Sequence, residues 1–276
     1  MSSSKNKAPC ALLENAEVTV EAKGTFAVAR RVVVVDPRRC KRCDGQAHES
    51  YVDGNGYEIL SPCEGTRLDT RIERFNTARI PARYHDASFD TFRLRMPDHP
   101  VVLEELKRYL QGFVPGDRGR LFAGGVGTGK THLLTACLRY LTLEKSIACM
   151  YVEFSHLVAD IREGYSQSRS ESEMLTPLAH IPVLAIDELG KGRLRSEFEQ
   201  RIIDELISRR YNDAGVSTFF ATNYFPHMGN ERGANAGQEF LSDRIGERSQ
   251  SRAFDLCEFI YLSGEDYRAD RFKRGF

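Results

Sequence analysis

The chain has 276 residues, 39 Lys+Arg against 39 Asp+Glu, a formal charge of zero and no Trp. That length holds one ample domain and a small second one, and the even charge excludes a wholesale polyanion-binding surface, leaving nucleic acid only local patches. No apolar run approaches the ~18 residues of a membrane helix, and Lys5 and Lys7 precede only a short apolar stretch; a cytoplasmic chain with no membrane contact is expected.

Residues 1–15 show no periodicity. Residues 16–35 alternate polar and apolar around Lys23-Gly24, the pattern of a β-hairpin leading into Val32–Val35. Residues 36–67 are loop-rich and hold Cys40, Cys43 and Cys63; with Cys10, four of the seven cysteines lie in the first quarter of the chain. Cys40-Lys41-Arg42-Cys43 is a C-x₂-C turn able to present two thiolates to zinc, and Cys63 supplies a third. His48 is the best-placed fourth ligand by spacing, ahead of Cys10 and Glu64. The alternative is a metal-free hairpin module with reduced thiols. Cys137, Cys149 and Cys257 lie in apolar segments and read as buried small hydrophobes. The expected organisation is a β-hairpin and zinc-ribbon-like module over 1–68, a basic connector over 69–96 and an α/β domain over 97–276.

From residue 97 helices and strands alternate. A helix is predicted over 99–111, and strands at 120–123, 148–154, 183–187, 218–222 and 258–262, with helices between them. Phe198, Ile202, Ile203, Leu206 and Ile207 line one face of a helix over 196–212. Such alternation predicts a mostly parallel sheet.

Between the first of these strands and a helix from Thr131 to Leu143 lies Gly124-Gly125-Val126-Gly127-Thr128-Gly129-Lys130-Thr131. This G-x-x-x-x-G-K-T loop cradles phosphates in backbone N–H groups, with Lys130 reaching the β- and γ-phosphates and Thr131 ligating Mg²⁺. His132 directly follows and is grouped with the nucleotide-binding residues. Val183 to Ile186 is a continuous apolar strand ending in Asp187 and Glu188. Asp187 suits the Mg²⁺ shell, and Glu188 the deprotonation of an attacking water. Asn223 closes the next strand and can reach a γ-phosphate or the lytic water, or simply form a turn. Arg244 and Arg248 share a helix face before the last strand; one can act as an arginine finger toward a neighbour's nucleotide, or both can sit in a surface ion-pair ladder with Asp243 and Glu247. No Asn-Lys-x-Asp guanine reader is present.

Asp187-Glu188-Leu189-Gly190, the run from Ile203 to Tyr211, Thr222-Asn223 and the run from Asp243 to Arg248 resemble the AAA+ ATPases of the DnaC/DnaI helicase-loader group and its relative, the IstB transposition helper. Ile80-Pro81-Ala82-Arg83-Tyr84, Ser88-Phe89 and the run from Gly264 to Arg268 are similar to flanking segments of the same group. The resemblance implies a P-loop domain with a five-stranded parallel sheet, no helical lid and no second sensor arginine. It implies ATP and Mg²⁺ as cofactors, Lys130, Thr131, Asp187, Glu188 and Asn223 in the roles above, and Arg248 ahead of Arg244 as the finger. It further implies self-association into a ring or spiral, a replicative ring helicase as partner, and single-stranded DNA held by the region 155–180, where Arg162, Tyr165 and Arg169 offer charge and a stacking face. The rival expectations are an IstB-like transposition helper and a nucleotide-gated scaffold with little hydrolysis.

Overall fold

The computed structural model describes residues 18–31, 48–52, 54, 56–192, 196–225 and 239–269. Strands β1 (Val18–Lys23) and β2 (Phe26–Arg31) form the antiparallel hairpin expected around Gly24. Its extension over Val32–Val35 lies outside the described residues. A second hairpin pairs β3 (His48–Val52) with β4 (Glu58–Pro62), His48 standing opposite Pro62. Helix α1 (Glu64–Thr77) follows, starting inside the expected N-terminal module and ending inside the expected connector. Cys63, at its N-cap, is buried.

The main sheet is parallel and ordered β6-β7-β8-β5-β9. Its members are β5 (Gly119–Gly124), β6 (Cys149–Glu153), β7 (Val183–Asp187), β8 (Ser217–Thr222) and β9 (Cys257–Leu262), each within two residues of its predicted span. The interleaved helices are α2 (His99–Gly112), α3 (Lys130–Leu143), α4 (Phe154–Ser166), α5 (Glu171–His180), α6 (Glu197–Tyr211), α7 (Leu241–Ile245) and α8 (Glu247–Leu256). No helix among the described residues is long and apolar enough to cross a membrane.

Strand side chains alternate between two cores, as a twofold pleat requires. Val183, Ala185, Phe219, Ala221 and Phe122 face one layer with α1, α2, α3 and β2. Leu184, Ile186, Phe220, Leu121 and Ala123 face the other with α4 to α8. Both faces are therefore covered, which explains why these strands read as unbroken apolar runs. The crossover from β5 past β8 and β7 to β6 opens the crevice at the carboxyl ends of the strands where α/β sheets bind ligands.

Residues 78–84 tie the first hairpin to this sheet. The Ala27 N–H donates to the Ile80 carbonyl at 2.8 Å and the Ala82 N–H to the Thr25 carbonyl at 2.9 Å. The Tyr151 N–H of edge strand β6 donates to the Ala78 carbonyl at 2.8 Å, pairing a backbone group that an open edge would leave bare. The Asn76 side chain bonds both backbone groups of Ala29. Hairpin and α1 thus share the core of the sheet.

Candidate nucleotide-binding and catalytic site

The loop of residues 124–131 joins β5 to α3. Gly127 and Gly129 sit at φ of 75° and 99°, in the left-handed region that disfavours a Cβ. Space reinforces the choice: a Cβ on Gly129 would lie 2.6 Å from the Phe92 ring. Lys130 is buried, and its ammonium donates to the Gly124 carbonyl at 2.9 Å and to the Gly125 carbonyl. Burial pulls its pKa from 10.5 down to about 8, against the attraction of Asp187.

Asp187 ends β7 beside the loop and is almost fully buried. Its carboxylate accepts from the Tyr151 hydroxyl at 2.8 Å, from the Glu188 N–H at 2.9 Å and from the Thr131 side chain. Burial raises its pKa despite these donors. Tyr84 hydrogen-bonds Thr131 in turn, so one tyrosine braces each member of the hydroxyl–carboxylate pair. A hydroxyl and a carboxylate in contact, both hard oxygen donors facing a phosphate cradle, fit Mg²⁺.

Glu188 is half-buried at φ 51°, a left-handed backbone that a non-glycine residue rarely adopts and that marks a site held in place by its surroundings. Its carboxylate bonds Lys191, which also reaches Glu153 at 3.4 Å. Burial raises the Glu188 pKa; Lys191 opposes this and the Glu153 carboxylate adds to it. Burial also pushes Glu153 up, but the Ser155 hydroxyl, Glu188 and Lys191 carry it below the usual carboxylate range. Asn223 follows β8, whose neighbours are β7 and β5, and is exposed there. Lys130, Thr131, Asp187, Glu188 and Asn223 are thereby gathered at one end of three adjacent strands.

The family model described as IstB-like ATP binding protein matches residues 63–270. The chain belongs to this family. Replicative helicase loader DnaC of Escherichia coli K12 is 28% identical over 180 residues, 64% of this chain and 67% of that protein. DnaC of Buchnera aphidicola from Acyrthosiphon pisum is 32% identical over 130 residues, 46% of this chain and 52% of that protein. The crystal structure of the DnaC helicase loader superposes with a TM-score of 0.55 at 26% identity, covering 66% of this chain and 99% of that one. The DnaI crystal structure, at 20% identity and a TM-score of 0.51 over 68% of this chain and 93% of that one, shares the fold. The AAA+ P-loop architecture expected from the sequence is the one found.

The remaining expected residues of this IstB-like chain fall in different settings. Arg244 is engaged inside its own subunit: its side chain is 10% exposed, bonds Glu239 and the Gly192 carbonyl, and stacks over Tyr224 at 4.6 Å. Arg248, on the first turn of α8, is exposed. His132 bonds the Ser88 carbonyl at 2.8 Å through its ring and packs edge-on against Phe92; burial lowers its pKa. Its contribution is to fasten residues 88–92 to α3. Arg162 pairs with Glu199 at 3.6 Å and stacks on Phe198, while Tyr165 packs on the same Phe198 and bonds Glu171. Arg169, beyond α4, is exposed. Cys40 and Cys43 lie outside the described residues. Among the described residues, no group of three or more His, Cys, Asp or Glu is arranged to hold a metal, so the zinc reading of Cys63 and His48 gains no support.

Sequence reading missed Tyr84, Tyr151, Glu153 and Lys191. Glu153 carried a usable signal, an acid ending the strand next to β7. The tyrosines were indistinguishable from core aromatics.

Proposed function

We propose that the chain is an ATP-hydrolysing helicase loader whose active sites are shared between subunits. The observation that carries the enzymatic reading is the meeting of Lys130, the Thr131–Asp187 pair and Glu188 at the carboxyl ends of β5 and β7. Mg²⁺ held at Thr131 and Asp187 would offset phosphate charge. Lys130 neutralises the β- and γ-phosphates, and Tyr84 and Tyr151 keep the two oxygen donors in register. Glu188, once it leaves Lys191, takes the proton of the water that attacks the γ-phosphorus as the bond to the β-phosphate oxygen breaks. Asn223 orients that water. Arg248 is exposed and so available to a neighbour's phosphates, whereas Arg244 is occupied; the trans role is therefore given to Arg248.

The loader assignment rests on the DnaC likeness, which spans 64% of the chain. Single-stranded DNA would run along α4 and Arg169. The family description itself favours a second reading, a transposition helper. Affinity capture from the native host with ATP present separates them. A hexameric replicative helicase is the expected partner; recovery of a transposase in its place would refute the loader assignment and support the helper.

A further inference from the structure

The segment Ser263–Ala269 leaves β9 and crosses the phosphate loop. The Tyr267 N–H donates to the Gly127 carbonyl at 3.1 Å. The fit is close enough that a Cβ on Gly127 would meet Asp266 Oδ1 at 1.8 Å and its Cα at 2.8 Å. Gly264 lies against Met96, and the Ser263 hydroxyl reaches Asp98 at 3.4 Å. The Tyr267 ring carries two guanidiniums, Arg93 at 5.0 Å and Arg95 at 4.5 Å from its centroid. The strap is thus anchored on Gly127 and on residues 93–98 rather than trailing from the last strand.

Arg268 is the chemically active end of this strap. Asp266 accepts from its backbone N–H at 2.8 Å and from its Nε at 3.3 Å, which fixes the base of the side chain while 54% of it stays open to solvent. Its positive charge is felt by both Lys130 and Tyr84, the lysine of the loop and the brace of Thr131. Two cations near one cradle of backbone N–H groups repel until an anion binds there.

We propose that Arg268 binds the polyphosphate of the nucleotide held by its own subunit, the strap Ser263–Ala269 acting as the cis wall of the site. This rests on nucleotide binding at the loop, and the test separates the two. Binding of fluorescent N-methylanthraniloyl-ATP with Mg²⁺ is titrated for wild type, Arg268→Ala, Arg268→Gln and Lys130→Ala. Loss of one charge-assisted contact weakens affinity about tenfold or more in both Arg268 variants, with thermal stability unchanged. Arg268→Gln preserves chain length and serves if Arg268→Ala does not fold. Wild type that binds while both Arg268 variants bind equally well overturns the inference alone; wild type that fails to bind overturns the nucleotide reading itself. Mixing Arg268→Gln subunits with Lys130→Ala subunits, which keep Arg268, should leave the weakened affinity as it is. Restored affinity would place Arg268 on a neighbour's nucleotide and refute the cis wall.

Discussion

Lys130 offers the sharpest test of the site. Its ammonium is buried on the Gly124 and Gly125 carbonyls, with a pKa of about 8 in place of 10.5. A bound triphosphate restores the preference for the charged form, because opposite charge at contact distance favours ionisation. ATP then binds the protonated lysine only. With an empty-site pKa of about 8, the protonated fraction falls about tenfold between pH 7 and pH 9, and ATP affinity falls with it. At pH 8.5 about three quarters of a proton is taken up per ATP bound. Titration calorimetry in two buffers of different ionisation enthalpy reads this uptake directly. Stability of the empty protein runs the other way. The folded pKa lies below the unfolded one, so the burial penalty is fully felt below pH 8 and is relieved as pH rises from 8 to 10.5. Raising pH therefore firms the empty protein through this group while shrinking the ATP-induced rise in Tm. Binding heats independent of buffer at pH 8.5 would show that Lys130 is charged throughout, and the reasoning would fail.

Glu188→Gln should cut turnover by a factor on the order of 10²–10⁴ and leave ATP binding intact, as steady-state rates and nucleotide titration would show. Lys191→Ala removes the cation that holds the Glu188 pKa down, so the acid limb of the rate profile should move to higher pH. Subunits with Arg248→Ala mixed with Lys130→Ala subunits should recover activity when each site draws on two chains; purely additive rates would rule out a finger in trans. Arg210, fully buried in α6, donates to the Leu178, Ala179, Ile181 and Ser217 carbonyls and the Thr218 hydroxyl. Arg210→Met orphans these acceptors and should destabilise the fold by about 3 kcal/mol or more, seen as a lower denaturation midpoint; an unchanged midpoint would mean water replaces the guanidinium.

The sheet was legible because burial on both faces forces unbroken apolar runs, and the loop because its glycines, lysine and threonine fall at fixed offsets. Helix α1 was hidden: its contact with the core comes through Ile72 and Phe75 within an otherwise polar, basic stretch, which reads as a connector. Helix α5 contains Pro177, a residue that argues against helix, yet a capping box of Ser170 and Glu173 starts it. Arg244 and Arg248 were equivalent by spacing. The resemblance ranked Arg248 first, and the packing of Tyr224 and Glu239 around Arg244 is the structural difference between them. The strap over Gly127 had no local pattern to betray it, because its anchors are contacts between residues more than a hundred positions apart.

Residues 78–82 carry one more consequence. The hairpin hangs on the Ile80 carbonyl and the Ala82 N–H, the Ala78 carbonyl holds the backbone of Tyr151, and the hydroxyl of that tyrosine holds Asp187. Whatever grips the N-terminal hairpin therefore takes hold of a continuous series of hydrogen bonds that ends on the Asp187 carboxylate.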